Sequence, residues 1–222
     1  MVSDKLSECK HILSIDIGAI NMAYVYCRLD KIDVDDMVGH TYVATTLIAK
    51  RVNIIDDQHK HICRDKCTLH HTSNWCDRVA HFTQELQAEI QGQATHPAKI
   101  QAAIDIVLIE KQPPLGFTQI EQLLVSHFRN KMILVNPISV HKFLGLVHGK
   151  STREFRKIVA IKTGGPYLEH INEYTVDERK HDMADAMCMV LYHIRSMTNL
   201  VPIRKIELDQ NLDLFFNKFR FR

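Results

Sequence analysis

In the stretch Ile12-Leu13-Ser14-Ile15-Asp16-Ile17-Gly18-Ala19-Ile20-Asn21, Leu13, Ile15 and Ile17 alternate with Ile12, Ser14 and Asp16, the two-residue period of a β-strand. Both faces are apolar apart from Ser14 and Asp16, which predicts a strand buried at the centre of a sheet. A carboxylate in such a strand, with no basic residue between Ile12 and Ala23, is costly unless something neutralises it. Gly18 then lets the chain turn sharply. Met22 to Leu29 (Ala23, Tyr24, Val25, Tyr26, Cys27) reads as a second strand folded back antiparallel on the first. By itself Asp16-x-Gly18 is also the pattern of a turn-capping aspartate, so its meaning rests on what lies downstream.

Asp30 to Asp36 reads as an acidic turn, and His40 to Ile55, rich in β-branched residues, as a third strand. Ser73 or Asn74 caps a helix running to about Gln91, with Val79, Phe82, Leu86 and Ile90 on one stripe. Ile104 to Glu110 is a near-continuous apolar run, the signature of a buried parallel strand, and Pro113-Pro114 stops the sheet there. A helix from Thr118 to Phe128 and a short strand from Lys131 to Val135 follow. Helices over about 138–146 and 152–163 come next, the second opened by the capping box Ser151-x-x-Glu154 and stopped by Gly164-Gly165-Pro166. The chain from Tyr167 to Arg179 reads mostly as loop, and Arg179 to Met197 as an amphipathic helix. This order predicts an α/β fold: a mixed five-stranded sheet, three antiparallel strands then parallel ones, flanked by helices. One domain covers 1–200, and 201–222 forms an aromatic and basic tail.

Among the 222 residues, 45% are hydrophobic and 24% charged, ordinary for a globular protein. Met1 to Lys10 lacks an apolar signal core, and no apolar run approaches membrane-spanning length, so no membrane association is expected. Six cysteines without a secretion signal predict reduced thiols and an intracellular location. The net charge of +2 hides an asymmetry: residues 1–128 hold 12 basic and 16 acidic side chains, residues 129–222 hold 16 and 10. Within 137–165, Lys142, Lys150, Arg153, Arg156, Lys157 and Lys162 face a single acid, Glu154. That density suits a polyanion such as DNA, and it equally suits a solvated helix face.

Asp16 and Glu110 both stand at the carboxyl ends of buried strands, the edge at which open α/β sheets bind ligands. The last helix adds Lys180-His181-Asp182-Met183-Ala184-Asp185-Ala186, with Asp182 and Asp185 three apart on one face. That pair alone is explained by the positive end of the helix dipole. Four carboxylates from two strands and one helix form instead a site for hard divalent cations such as Mg²⁺. Two such ions roughly 3.5–4 Å apart clamp the attacking water and leaving oxygen in phosphodiester hydrolysis.

Ile12 to Asn21, Ile109-Glu110-Lys111-Gln112-Pro113 and Lys180 to Ala186 resemble the three acidic motifs of Holliday-junction resolvases in the RNase H-like superfamily. They are similar to those of the poxvirus and iridovirus resolvases, relatives of the fungal mitochondrial and bacterial RuvC-type enzymes. The resemblance spans about residues 11–197. It implies an RNase H-like fold, a homodimer, two Mg²⁺ or Mn²⁺ ions per active site, and paired symmetric nicks in four-way DNA junctions during recombination, repair and replication. Asp16, Glu110, Asp182 and Asp185 match the metal ligands position by position. For a viral chain it implies the host cytoplasm as the place of action. The family's essential lysine falls at Lys157 or Lys150, either of which would offset charge on the scissile phosphate, and Lys142 would touch the DNA backbone.

Two stretches depart from the family pattern. His59 to His81 holds His59, His61, Cys63, Cys67, His70, His71, Cys76 and His81. Cys63, Cys67, His71 (or His70) and Cys76 would supply four tetrahedral ligands for a structural Zn²⁺, the alternative being a histidine-rich surface loop. In the tail, residues 209–216 resemble the peptide by which replication enzymes dock on a sliding clamp, with Leu212, Phe215 and Phe216 as apolar anchors. The same aromatic residues also suit packing on the core or stacking on DNA. Three other functions compete: another RNase H-like nuclease (ribonuclease H or repair endonuclease), an actin-like ATPase or sugar kinase, and a non-catalytic zinc-stabilised DNA-binding module. The ATPase needs a second Asp-x-Gly motif, which this chain lacks.

Overall fold

Two different helical layers account for the alternation in the first strand. The computed structural model describes residues 9–33, 40–55, 74–92, 104–146, 151–198 and 203–204. Strands β1 (Cys9–Asp16), β2 (Met22–Asp33) and β3 (His40–Val52) form an antiparallel meander. Helix α1 (Trp75–Gly92) leads to β4 (Ile106–Glu110), which pairs parallel with β1, and α2 (Thr118–His127) leads to β5 (Met132–Val135), parallel to β4. Then come α3 (Pro137–Phe143), α4 (Arg153–Gly164), α5 (Asn172–Val176) and α6 (Lys180–Thr198). The five expected strands lie in the order β3-β2-β1-β4-β5, and β6 (Ile203–Arg204) adds a sixth, parallel to β3 at its free edge.

Leu13, Ile15 and Ile17 pack with Tyr24, Val107 and Ile109 under the apolar stripe of α1 (Val79, Phe82, Leu86, Ile90) and under α2. Ile12, Val25, Cys27 and Leu108 face the other way, against α3, α4 and the apolar side of α6. Ile12, Leu13 and Ile15 are wholly buried, each worth about 2–3 kcal/mol relative to exposure. A slip of one residue would turn all of them to the wrong layer, so burial sets the register of β1. Ser14, the polar exception, is buried too, and its hydroxyl donates to the Ala186 carbonyl at 2.8 Å, tying β1 to α6.

Several local expectations are corrected. Strand β2 runs on to Asp33, so the acidic segment begins inside the strand, because β3 offers it partners as far as the Asp33–His40 pair. β3 ends at Val52 because the chain bends there to let the Ile54 amide donate to the Ala19 carbonyl. Thr152, not Ser151, caps α4: its hydroxyl accepts from the Phe155 amide, while Glu154 turns to Lys157 instead of closing a capping box. Gly164 and Gly165 do not break the chain away from the helix. Gly165 keeps helical angles and opens a 3-10 turn through Tyr167, and Gly164 lets α4 approach α6 closely. The stretch read as loop after Tyr167 contains α5. Asn74 caps α1 through the Cys76 amide. Cys63, Cys67, His71, Lys150 and residues 209–216 lie outside the described residues; Cys76 stands exposed in the first turn of α1. No helix among the described residues is long and apolar enough to cross a membrane.

Candidate active site

Parallel pairing of β1 with β4 matches Ser14 to Leu108 and Ile15 to Ile109, so one step further Asp16 stands beside Glu110. Period-2 geometry puts Asp16 on the face of Ile12 and Ser14, and Glu110 on the face of Leu108, both toward α6. The turn after Asp16 must be very tight. A Cβ on Gly18 would lie 2.7 Å from the Asn21 carbonyl oxygen, a backbone atom with little room to yield, so glycine is required there.

On the other side of the site, α6 is pinned by its buried face. Met183, Ala184, Ala186, Met187, Cys188 and Val190 are wholly covered. Small residues allow this: a Cβ on Gly164 would meet the Ala184 carbonyl oxygen at 2.6 Å, so α4 and α6 lie in close contact there. With α6 so placed, Asp182 and Asp185 line the same cleft as Asp16 and Glu110. Arg153, Arg156 and Lys157 of α4, His141 of α3 and His181 also line it. The cleft is open and holds about 250 Å³, less than the roughly 300–1,000 Å³ of a drug-sized ligand pocket.

Burial dominates the electrostatics of three of the carboxylates. Burial, then the charges of Glu110 and Asp185, hold the Asp16 carboxyl well above the usual range. Burial raises Glu110 as well, opposed by hydrogen bonds from Asp16, the Gln112 side chain (2.7 Å) and the Ile17 amide. Asp185 is pushed up to about 7, first by burial and then by Glu110 and Asp182, with Arg156 pulling the other way. Three neighbouring acids that resist ionisation are a hard-oxygen donor set lacking its counter-charge, and this is the chemistry a divalent cation satisfies.

Asp182 is engaged differently. Its carboxylate accepts from Arg179 Nε at 2.9 Å and lies 3.2 Å from His181 Nε2. Accordingly, among the described residues, no three His, Cys, Asp or Glu side chains are arranged to hold a metal ion as they stand. The donor types of the four carboxylates fit Mg²⁺.

Of the basic residues named from sequence, Arg153, Arg156 and Lys157 reach the cleft, and Lys157 also bonds Glu154 at 3.1 Å. Lys142 and Lys162 do not line it. Sequence reasoning passed over Gln112, His141, Arg179 and His181. Gln112 was findable, because two residues beyond Glu110 in extended chain it shares that residue's side. Nothing local marks His141.

No protein-family model matches the sequence, and no curated protein sequence does. Solved structures do match in shape. The fowlpox virus Holliday junction resolvase superposes with a TM-score of 0.51 at 16% identity, over 84% of this chain and 99% of that one. The same viral resolvase in complex with its substrate Holliday junction DNA gives 0.51 at 17%, over 84% and 98%. The yeast mitochondrial Holliday junction resolvase gives 0.50 at 15%, over 87% and 83%. The fold is RNase H-like. Strand order, the parallel β1–β4 pair and the helices on both faces belong to that architecture, which hosts the four carboxylates at the carboxyl edge of its central strands.

Proposed function

We propose that this chain is a divalent-metal-dependent endonuclease that resolves four-way DNA junctions by paired, symmetric nicks. The observation that carries the reading is one cleft lined by four carboxylates from β1, β4 and α6 and by three basic side chains from α4. Carboxylates alone would suit any metal enzyme, and bases alone any polyanion. Side by side they suit a phosphodiester that must be both neutralised and cut. An open cleft lined by carboxylates and bases together suits a polymer backbone, and the missing second Asp-x-Gly motif speaks against the actin-like alternative.

Asp16, Glu110, Asp182 and Asp185 would hold the ions, which supply Lewis-acid activation of water and charge neutralisation at phosphate. The chain's own residues do the rest. Gln112 donates to Glu110 and keeps one of its oxygens directed. Arg153 and Arg156 draw the phosphate backbone into the cleft, and Lys157 offsets charge growing on the scissile phosphate; Glu154 holds its ammonium until DNA arrives. Lys142 and Lys162, which stand outside the cleft, would touch the DNA backbone further along, and Lys150 is the other lysine that the sequence offers for the scissile phosphate. The fowlpox enzyme's junction complex supports four-way DNA as the substrate. A four-way junction is nearly two-fold symmetric, so paired cuts call for a C2 homodimer.

The test is incubation with a synthetic four-way junction, a linear duplex and an RNA–DNA hybrid, with and without Mg²⁺. Mg²⁺-dependent cleavage of the junction, lost in Asp16→Asn with junction binding kept, is the expected result. Cleavage of the hybrid alone would make the protein a ribonuclease H. Undiminished cleavage by Asp16→Asn would refute the metal-ion assignment.

A further inference from the structure

Arg51, near the end of β3, links two of the three segments that carry the acids. Its Nε donates to Asp177 Oδ2 at 3.0 Å, and its Nη1 donates to Asn21 Oδ1 at 2.9 Å. Asn21 closes the tight turn that follows Asp16. Asp177 stands in the short connection between α5 and α6, and its Oδ1 accepts from the Arg179 amide at 2.6 Å. Arg179 in turn donates through Nε to Asp182, and the Asp182 amide donates back to the Arg179 carbonyl at 3.1 Å. The chain of contacts therefore runs Asn21, Arg51, Asp177, Arg179, Asp182, from the turn beyond one acid to the first turn of the helix bearing two others.

This relay is partly buried. The Asp177 side chain is 14% exposed and that of Arg51 27%, so the ion pair is neither a solvated surface contact nor a fully desolvated one. Burial works to raise the Asp177 carboxyl, yet the Arg179 amide and the Arg51 guanidinium together hold it below its usual range. A planar guanidinium suits the task, because its fork reaches two acceptors in different segments at once; a lysine ammonium cannot reproduce that geometry.

We infer that Arg51 is a positioning residue for the metal site: through Asp177 it fixes the entry to α6, and so sets how Asp182 is presented to the cations. The inference rests on the metal-ion reading of the cleft. Outer contacts that orient a metal-binding carboxylate affect metal affinity by roughly 10–100-fold when removed.

The experiment measures Mn²⁺ affinity by EPR titration of the metal-free protein, without DNA, alongside the Mg²⁺ concentration for half-maximal junction cleavage. The variants are Arg51→Ala, Arg51→Lys, Asp177→Asn and the Arg51→Ala/Asp177→Asn double. Asparagine at 177 still accepts from the Arg179 amide, so it removes the ion pair while keeping the turn. Expected is a roughly ten-fold weaker Mn²⁺ affinity in Arg51→Ala and Asp177→Asn, no further loss in the double variant, and incomplete rescue by lysine. Junction cleavage should recover toward the parent rate at high Mg²⁺, and junction affinity in Ca²⁺ should stay unchanged. Variants that match the parent in Mn²⁺ affinity, or whose effects simply add, would overturn the inference. So would a fall in Tm with metal affinity intact, the mark of a merely structural pair. A parent protein that binds no Mn²⁺ would instead refute the metal-ion reading itself.

Discussion

Asp185→Asn should stabilise the metal-free protein at pH 8 while abolishing cleavage. Burial and then the charges of Glu110 and Asp182 disfavour the Asp185 anion and push its carboxyl up to about 7 from an ordinary value of 3.8. The folded state therefore binds a proton more tightly than the unfolded chain. The associated stability is fully present below pH 3.8 and is lost as the pH rises through about 7. A carboxyl raised that far costs the folded state on the order of 4 kcal/mol at pH 8, of which about 2–3 kcal/mol accrues between pH 5 and pH 8. Asparagine has the same shape and no charge, so it escapes that loss. Urea unfolding in EDTA at the two pH values measures it: the variant's advantage over the parent should grow by about 2–3 kcal/mol from pH 5 to pH 8. Saturating Mg²⁺ should then narrow the gap at pH 8, since a ligand at 100 times its dissociation constant stabilises the parent by about 2.7 kcal/mol. Parallel stability curves for the two proteins from pH 5 to pH 8 would refute the reasoning, and a gap that Mg²⁺ leaves unchanged would separate the cluster from metal binding.

Gly164→Ala should destabilise the protein by about 1–3 kcal/mol, read as a lower urea midpoint, because its methyl group would stand 2.6 Å from the Ala184 carbonyl oxygen and 3.2 Å from Met187 Cβ. As α4 carries Arg153, Arg156 and Lys157, the same variant should also bind junction DNA more weakly; unchanged stability would mean α4 slides freely on α6. Elemental analysis of protein purified without added metal decides the Cys/His segment: structural zinc gives about one equivalent, lost on replacing Cys63 and Cys67 with serine, and a surface loop gives none.

Much of the architecture is written in short-range pattern. The alternation from Ile12 to Ile17 and the apolar run from Ile104 to Ile109 each announce a buried strand, since side-chain period and burial are properties of a few consecutive residues. The three-residue spacing of Asp182 and Asp185 likewise puts them on one helix face. The acids at strand ends were legible for the same reason. Caps and breaks were less so: Ser151 and Thr152 are chemically interchangeable as caps, and the start of α4 at Arg153 makes Thr152 the one used. Gly164-Gly165 reads as a helix stop when the helix is considered alone, and as a packing surface once Ala184 lies against it. The cleft itself is a tertiary product. The β1–β4 register sets Asp16 beside Glu110, its distant neighbour in sequence, and the Ser14–Ala186 bond and the buried side of α6 choose which sheet face the helix covers. The Arg51–Asp177 pair spans 126 residues, and no local pattern distinguishes this arginine from one that meets water. Periodicity determines which way a side chain points from its own element, whereas the partner it meets depends on the summed packing of elements distant in sequence.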